Sequence, residues 1–525
     1  MDKALSILGI KLGHDGSMAH LSDQVMNFSY ENEKDNGLRY SEIEIDLILK
    51  TFKYLSKIPD VIAISGWDQS ENQNYQERFK NAGYFGLDNI INYQEHFLGK
   101  NTIFFSSSHE RSHILCAYGL SPYPQGQPCF VLVWEGLIGS IYYIDEHLNI
   151  KKLKEILPFP GIRYSFLFGL ADPTFKFKNG AIRLSDAGKL MALVSFAKGD
   201  VQEEDKEVIS KILSNNIKIT DLSKDNFSDS FLLNCGLDHP RFHNAAKYFS
   251  DQLFDIFYQA LKPYVNSKVP LLISGGCGLN CDWNTKWVES DLFSDVFIPP
   301  CSNDSGSAIG TAIDALYFYT GKAKVDWNVF SGETPFNDMK NGCAGFKEFS
   351  FSSELVAQTL AAGKVIGWIK GKYEIGPRAL GARSILAAPM EGMLNRLNKI
   401  KKRENFRPIA PICLEEDMST YFNSSRKSPY MLEFRTVKSD KIPAVTHVDK
   451  SARPQSVNES NNPEIYKLIL EFKKLTGLSV LCNTSLNFNG YGFINTLSDL
   501  YRYCFENGLD GFVFENKFFL REENA

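Results

Sequence analysis

Apolar residues along this chain keep two rhythms. Some come as short unbroken runs that stop abruptly at glycine, serine or a carboxylate, and others recur every third or fourth position. The runs at 7–10 and 18–21 flank Leu12-Gly-His-Asp-Gly-Ser17, where Gly13 and Gly16 permit a tight turn between two strands. The run at 101–105 ends in Ser106-Ser-Ser108, a serine cluster suited to cap a helix starting near His109. Residues 130–134 form another strand, closed by Glu135-Gly136. Over 240–263 the rhythm changes: Phe242, Ala245, Ala246, Phe249, Leu253, Ile256, Phe257 and Ala260 predict an amphipathic helix. The run at 269–273 before Ser274-Gly-Gly276 reads as a buried parallel strand entering a glycine turn. Residues 296–298 precede Pro299-Pro300, and Asn303 to Gly310 opens a further helix. Strands alternating with helices predict an α/β fold.

The stretch 325–350 is polar and lacks a period, which predicts a boundary, with one domain over 1–335 and a second over 345–525. The second domain holds a strand at 365–369, a basic segment at 396–407, a polar loop at 451–462, a strand at 478–482, and a last helix and strand over 497–519. The chain has 525 residues, 43% hydrophobic and 23% charged, values of a folded protein rather than a disordered or fibrous one. Lys+Arg 57 against Asp+Glu 62 gives a net charge of −5, so any anion site is a local concentration of cations and nucleic acid is not an expected partner. The 10 cysteines include no C-x-x-C pair and read as reduced thiols. No apolar run approaches membrane-spanning length and the amino terminus does not read as a signal peptide; a cytoplasmic protein with no membrane partner is expected.

Four clusters could carry chemistry. His109 and His113, spaced i, i+4, point off one helix face at a strand end, where α/β sheets place their ligands. With Glu135 and Asp304 at similar strand ends, they would suit iron, manganese or zinc; the alternative is two helix histidines hydrogen-bonded at a surface. His14-Asp15 sits in a glycine-flanked turn that could offer a general base or be an ordinary Asx turn. Ser274-Gly-Gly-Cys-Gly-Leu-Asn280 could admit a phosphate or ribose against backbone N–H groups, or be a tight strand-to-helix connection. Its Asn280 and Asn284 lie one turn apart and could bond a nucleotide.

The sharpest cluster is in the second domain. Gly371-Lys-Tyr-Glu-Ile-Gly-Pro-Arg-Ala-Leu-Gly-Ala-Arg-Ser384 is followed by a strip carrying Lys401, Arg403 and Arg407. Guanidinium forks and lysine charges in an acidic protein point to a small phosphorylated anion, against the bland reading of a solvated helix face. Pro408-Ile-Ala-Pro411 argues against a long exposed helix there. Asn483-Thr-Ser485 adds short polar groups after a strand.

Taken together, these blocks resemble the O-carbamoyltransferase family of nodulation protein U and the cephem and tobramycin carbamoyltransferases. The resemblance rests on His14-Asp15, His109-x-x-x-His113, Gly188-Lys189-Leu-Met-Ala-Leu, Ser274 to Asn280, Asn303-Asp-Ser-Gly306, Glu374-Ile-Gly-Pro-Arg-Ala-Leu-Gly381, Lys401-x-Arg-Glu-x-x-Arg-Pro408, His447-Val-Asp449, Ser451-Ala-Arg453-x-Gln455 and Asn483-Thr-Ser485. It implies an actin-like, sugar-kinase-like domain followed by a YrdC-like α/β domain. It also implies that carbamoyl phosphate and ATP, with Mg2+, yield carbamoyl adenylate in the second domain. The carbamoyl group then passes in the first domain to a hydroxyl of a small acceptor, such as a sugar or antibiotic.

Carried over by position, His109, His113, Glu135 and Asp304 would hold Fe2+ or another divalent transition metal. Lys401, Arg403, Arg407 and Arg453 would bind carbamoyl phosphate or ATP, with Arg378 and Arg383 nearby. Asn483 and Ser485 would contact the nucleotide or carbamoyl group, Asn280 would face the adenylate, Lys189 would lie in the substrate site, and His14 with Asp15 would assist acceptor deprotonation. Glu135 stands where the family usually has Asp, Leu486 where it has Phe, Lys372 where Arg is more frequent, and Lys34-Asp35 replaces an early Lys-His-Asp. Two rivals are a nucleotide-gated binding protein without turnover and an adenylate-forming transferase with another nucleophile, such as a nucleic-acid base.

Overall fold

A computed structural model describes residues 4–67, 80–176 and 183–522. The chain forms two compact units, one from Met1–Leu120 with Pro299–Ala525 and one from Ser121–Ile298. Both are α/β, as the alternation of patterns predicts.

The first unit contains a six-stranded and an eight-stranded mixed sheet. The six-stranded sheet runs Val25–Glu31, Ser17–Ser22, Ser6–Lys11, Val61–Ser65, Lys100–Ser107, Ile90–Phe97 in spatial order. Its centre, Ser6–Lys11, pairs antiparallel with Ser17–Ser22 across the predicted His14 turn and parallel with Val61–Ser65. The helix His109–Leu120 begins where expected: Ser108 Oγ accepts from Arg111 N at 3.2 Å, an N-cap bond. It lies against the helix Ser307–Thr320 so closely that a Cβ on Gly310 would stand 1.8 Å from Ser112 O. Only glycine permits that approach, and Arg111 closes it further with a bidentate bond to Asp314 (2.6 and 2.8 Å), buried between the helices. This crossing sets the histidines of one helix beside Asp304 at the start of the other.

The eight-stranded sheet runs Phe346–Ser350, Lys517–Arg521, Gly511–Phe514, Ile366–Ile369, Arg383–Ala387, Val480–Ser485, Ala410–Leu414, Gln455–Val457. Val365, Ile385, Leu397, Phe512 and their neighbours fill one face; Trp368, Leu386, Ile469 and Phe472 fill the other. One sequence expectation is corrected here. The stretch 451–462, read as a polar loop, contains the short strands Ser451–Ala452 and Gln455–Val457. The second pairs parallel with Ala410–Leu414, and its polar Gln455 is buried because Nε2 donates to Leu380 O at 2.7 Å. The basic strip is helical only through Met393–Ile400; residues 401–407 form a turn, with Lys402 in the left-handed region at φ 48°.

The second unit carries a five-stranded sheet ordered Val296–Phe297, Leu271–Ser274, Cys129–Trp134, Gly139–Ile144, Ile150–Glu155. Leu271–Ser274 is parallel to both neighbours, as its apolar run predicts. The helix Pro240–Leu261 starts at a His239 cap and buries Phe242, Ala245, Ala246, Phe249, Leu253 and Phe257, the predicted stripe. The rings of Trp134, Phe257 and Trp283 stack between that helix and the sheet. Among the described residues all ten cysteines are free thiols, and no helix is long and apolar enough to cross a membrane.

Candidate functional site

At one end of the six-stranded sheet, three residues of the first unit converge. His109 Nε2 and His113 Nε2 lie 3.1 Å apart. His113 Nε2 is 3.3 Å from Asp304 Oδ1, and His109 Nε2 is 3.5 Å from Asp304 Oδ2. All three side chains are buried. Burial pushes the His109 imidazole well below its usual range, against the opposing pull of Asp304. Burial alone would raise Asp304; His109, His14, the His113 hydrogen bond and Lys11 outweigh it and hold the carboxyl well below the usual range. A neutral His109 imidazole beside an ionised Asp304 carboxylate is the combination in which these two groups ligate metal.

Two further side chains reach Asp304. His14 Nε2 is 3.5 Å from Oδ2, with His14 Nδ1 3.4 Å from Asp15 Oδ2. The Asp304 charge, working against burial, raises His14 above the ordinary imidazole value. Lys11 Nζ is 3.5 Å from Oδ2. Lys11 was not singled out in the sequence; its signal is a charged residue ending an otherwise apolar central strand.

The expected site residues that fall in the second unit have local partners. Glu135 is buried, and its Oε1 accepts from the N–H groups of Leu137 and Ile138 at 3.2 and 2.9 Å. Asn280 Oδ1 caps the helix Cys281–Glu289 through Asp282 N and Trp283 N, while its Nδ2 is buried with no partner among the described residues. Asn284 Nδ2 donates to Gly278 O at 2.8 Å, so that asparagine braces the glycine turn. Lys189 Nζ lies 4.0 Å from Asp186.

In the eight-stranded part of the first unit a turn gathers cations. Asn398, fully buried, shapes it: Nδ2 donates to Asn405 O and Arg407 O at 3.2 and 3.0 Å, and Oδ1 accepts from Arg403 Nε at 2.7 Å. Lys401 sends its ammonium to Ser485 O, Asn487 O and Asn487 Oδ1 at 2.7, 3.0 and 2.6 Å, binding the turn to the loop after Val480–Ser485. Burial, then Arg403, Arg407 and Arg39, push Lys401 well below the lysine range. Burial, then Arg407 and Arg453, push Arg403 down to about 9. Among the described residues no carboxylate lies within salt-bridge distance of Lys401, Arg403 or Arg453, and Arg453 Nε is buried with no partner. Arg407 reaches Glu404 only at 3.8 Å. So much like charge held together with only Glu404 beside it is costly unless an anion joins it.

Other expected residues have different posts. Arg383 is fully buried and spends its N–H groups on Asn495 Oδ1, Gly371 O, Ala382 O and Glu333 O, a structural position rather than a ligand-facing one. Asn483 Nδ2 donates to Ala379 O and Gln455 Oε1, leaving a buried Oδ1 with no partner among the described residues. Ser485 Oγ donates to Asn487 Oδ1 at 2.6 Å. Arg378 follows Gly376-Pro377 on a loop held by Lys34, whose Nζ donates to Glu374 O and Gly376 O at 2.6 and 2.8 Å and to Glu31 Oε1 at 2.9 Å. Gly376 has φ 83°, and a Cβ there would stand 2.1 Å from Pro300 O, so this loop abuts the chain four residues before Asp304.

Comparison with known proteins now decides the family. The description "Carbamoyltransferase N-terminus" matches residues 6–313, and "Carbamoyltransferase C-terminus" matches 357–521. This chain belongs to the carbamoyltransferase family. The carbamoyltransferase is 44% identical over 522 residues to the 3'-hydroxymethylcephem-O-carbamoyltransferase of Amycolatopsis lactamdurans, covering 98% of this chain and 99% of that protein. It is 34% identical to nodulation protein U of Sinorhizobium fredii, covering 93% and 95%. Among solved structures, component A of the (R)-2-hydroxyglutaryl-CoA dehydratase of Acidaminococcus fermentans aligns with 60% of this chain and 97% of its own at 13% identity and TM-score 0.34. The carbamoyltransferase is thus an enzyme whose two family segments bracket both clusters described above.

Proposed function

We propose that this carbamoyltransferase is an ATP-dependent O-carbamoyltransferase with two reaction sites. In the region 345–525, water cleaves carbamoyl phosphate to carbamate and phosphate, and a carbamate oxygen then attacks the α-phosphorus of ATP, forming carbamoyl adenylate and releasing pyrophosphate. In the region 1–335, the carbamoyl group moves to a hydroxyl of a small acceptor of the sugar or antibiotic kind. The observation that carries the reading is the grouping of the half-buried guanidinium groups of Arg403, Arg407 and Arg453, with no carboxylate among the described residues within salt-bridge distance of Arg403 or Arg453.

Arg403, Arg407 and Arg453 grip the phosphates and offset charge developing on the transferred phosphoryl group. Lys401 contributes charge while its hydrogens hold the 485–487 loop in register. The orphaned Asn483 Oδ1 is an acceptor for a carbamoyl or adenine N–H. At the first site His109, His113 and Asp304 would hold a divalent transition metal through nitrogen and oxygen donors, and on the sequence resemblance Glu135 would be a further ligand. The bound metal supplies Lewis acidity toward a carbonyl oxygen. His14, close to Asp304 and Asp15, takes the acceptor hydroxyl proton on a ring nitrogen.

A pyrophosphate-release assay tests this. Release requiring carbamoyl phosphate as well as ATP supports the adenylating transferase; ATP hydrolysis alone favours the nucleotide-gated binding protein. Arg407→Ala is expected to lower release at least a hundredfold, and full retention would remove the turn from the site.

A further inference from the structure

Near the cation turn lies a stretch of the amino-terminal region that the sequence did not nominate. The short helix Asn32–Asp35 is followed by Asn36-Gly-Leu-Arg-Tyr-Ser41. Gly37 O accepts from Gly492 N at 2.7 Å, and Leu38 makes an antiparallel bridge to Tyr491. Tyr491 O in turn accepts from Asn487 Nδ2 at 2.8 Å, and Asn487 Oδ1 accepts from Lys401 at 2.6 Å. A continuous set of hydrogen bonds therefore joins the residue preceding Arg39 to the ammonium at the base of the cation turn.

The stretch is held in an unusual shape. Tyr40 has φ 60°, a left-handed conformation uncommon for an aromatic residue. Glu33 Oε2 accepts from Tyr40 N at 3.3 Å and lies 3.6 Å from Arg39 Nε, while the Arg39 guanidinium sits 5.0 Å from the Tyr40 ring centre. The electrostatics follow the geometry. Arg39 acts on Lys401 and Arg407, Tyr40 acts on Arg407, and Arg378 acts on Tyr40. Glu33 holds Arg39 locally, while its positive charge adds to the repulsion felt by Lys401 and Arg407, a cost that a shared anion would offset.

We propose that Arg39 is a further anion-binding residue that contacts the phosphate oxygens of a polyphosphate seated against Arg403 and Arg407, with Tyr40 the positioning residue that aims it. The inference rests on the proposed function, because it shares that anion. It makes the phosphate site composite, built from residues about 360 positions apart in the chain.

Calorimetric titration of the full chain with pyrophosphate tests it. Arg39→Ala is expected to weaken binding tenfold or more, in line with loss of a charge-assisted hydrogen bond. Arg39→Gln, which keeps the stem and a donor for Glu33, is expected to lose as much, and Arg39→Lys to recover to within about threefold. Arg502→Ala, at an exposed arginine paired with Asp499, serves as the control and is expected to bind normally. Unchanged binding in Arg39→Ala and Arg39→Gln, with binding lost in Arg407→Ala, overturns the role of Arg39 and leaves the proposed function standing. Unchanged binding in Arg407→Ala as well overturns the phosphate site itself.

Discussion

Replacing Gly376 by alanine adds one methyl group at the place where the Arg378 loop meets the chain leading to Asp304. Two penalties follow from the geometry. At φ 83° an L-residue costs about 1 kcal/mol relative to glycine. The new Cβ would lie 2.1 Å from Pro300 O, more than 1 Å inside ordinary contact, and backbone on both sides prevents cheap relief. Overpacking of this kind costs about 1–3 kcal/mol, for a total of about 2–4 kcal/mol. With an unfolding entropy of about 2.1 cal/mol/K per residue, the 525-residue chain loses about 2–4 °C in melting temperature. Gly371→Ala is the internal control: φ is 67°, but a Cβ there meets nothing within 4 Å, so only about 1 °C is expected. Scanning calorimetry of both variants checks the stability, and pyrophosphate release checks the loop that Lys34 holds through Gly376 O. If Gly376→Ala melts no lower than Gly371→Ala, the Pro300 contact does not constrain this loop and the reasoning is wrong.

Other expectations follow from the same geometry. His113→Ala should lose metal, read by elemental analysis, and stop carbamoyl transfer while sparing pyrophosphate release; equal loss of both steps would contradict the division into two sites. Pyrophosphate at a hundred times its dissociation constant should stabilise by about 2.7 kcal/mol, a rise of about 2–3 °C that sodium chloride at matched ionic strength does not reproduce and Arg403→Ala removes. His20, buried with Nε2 near Ser6 Oγ at 2.9 Å and Nδ1 near Asn27 Nδ2 at 3.0 Å, is pushed by burial and Lys57 down to about 4. The unfolded chain therefore binds the extra proton, and stability falls as pH drops below the ordinary histidine value. The loss is about 2 kcal/mol by pH 5, and His20→Gln should flatten that acid limb in pH-dependent denaturation.

Local devices were readable in the sequence because their partners are neighbours in the chain. The Ser108 cap, the i, i+4 histidines, the stripe over Pro240–Leu261 and the parallel run at Leu271–Ser274 all depend on contacts within a turn or on periodicity. Contributions that need distant chain segments were not readable. Nothing near Lys34 announces that it will bind carbonyls at 374 and 376, or that the charge of Arg39 will act on Lys401. Composition also misled at 451–462, where Gln455 and Ser456 are polar yet buried, because Leu380 and Ser428 supply their hydrogen bonds. Arg383 illustrates the converse: its place in a cationic motif suggests a ligand, while its rigid fork is used to hold four main-chain and side-chain acceptors.

The three bonds made by the Asn398 amide have a kinetic corollary. They give the 401–407 turn its final shape during folding, so an arriving anion displaces water and counterions instead of reorganising chain. Capture should then be rapid and steeply dependent on ionic strength, with little change in heat capacity. Asn398→Ala would shift the entropy of ordering from the folding reaction to the encounter itself, and the enzyme would meet its phosphates more slowly.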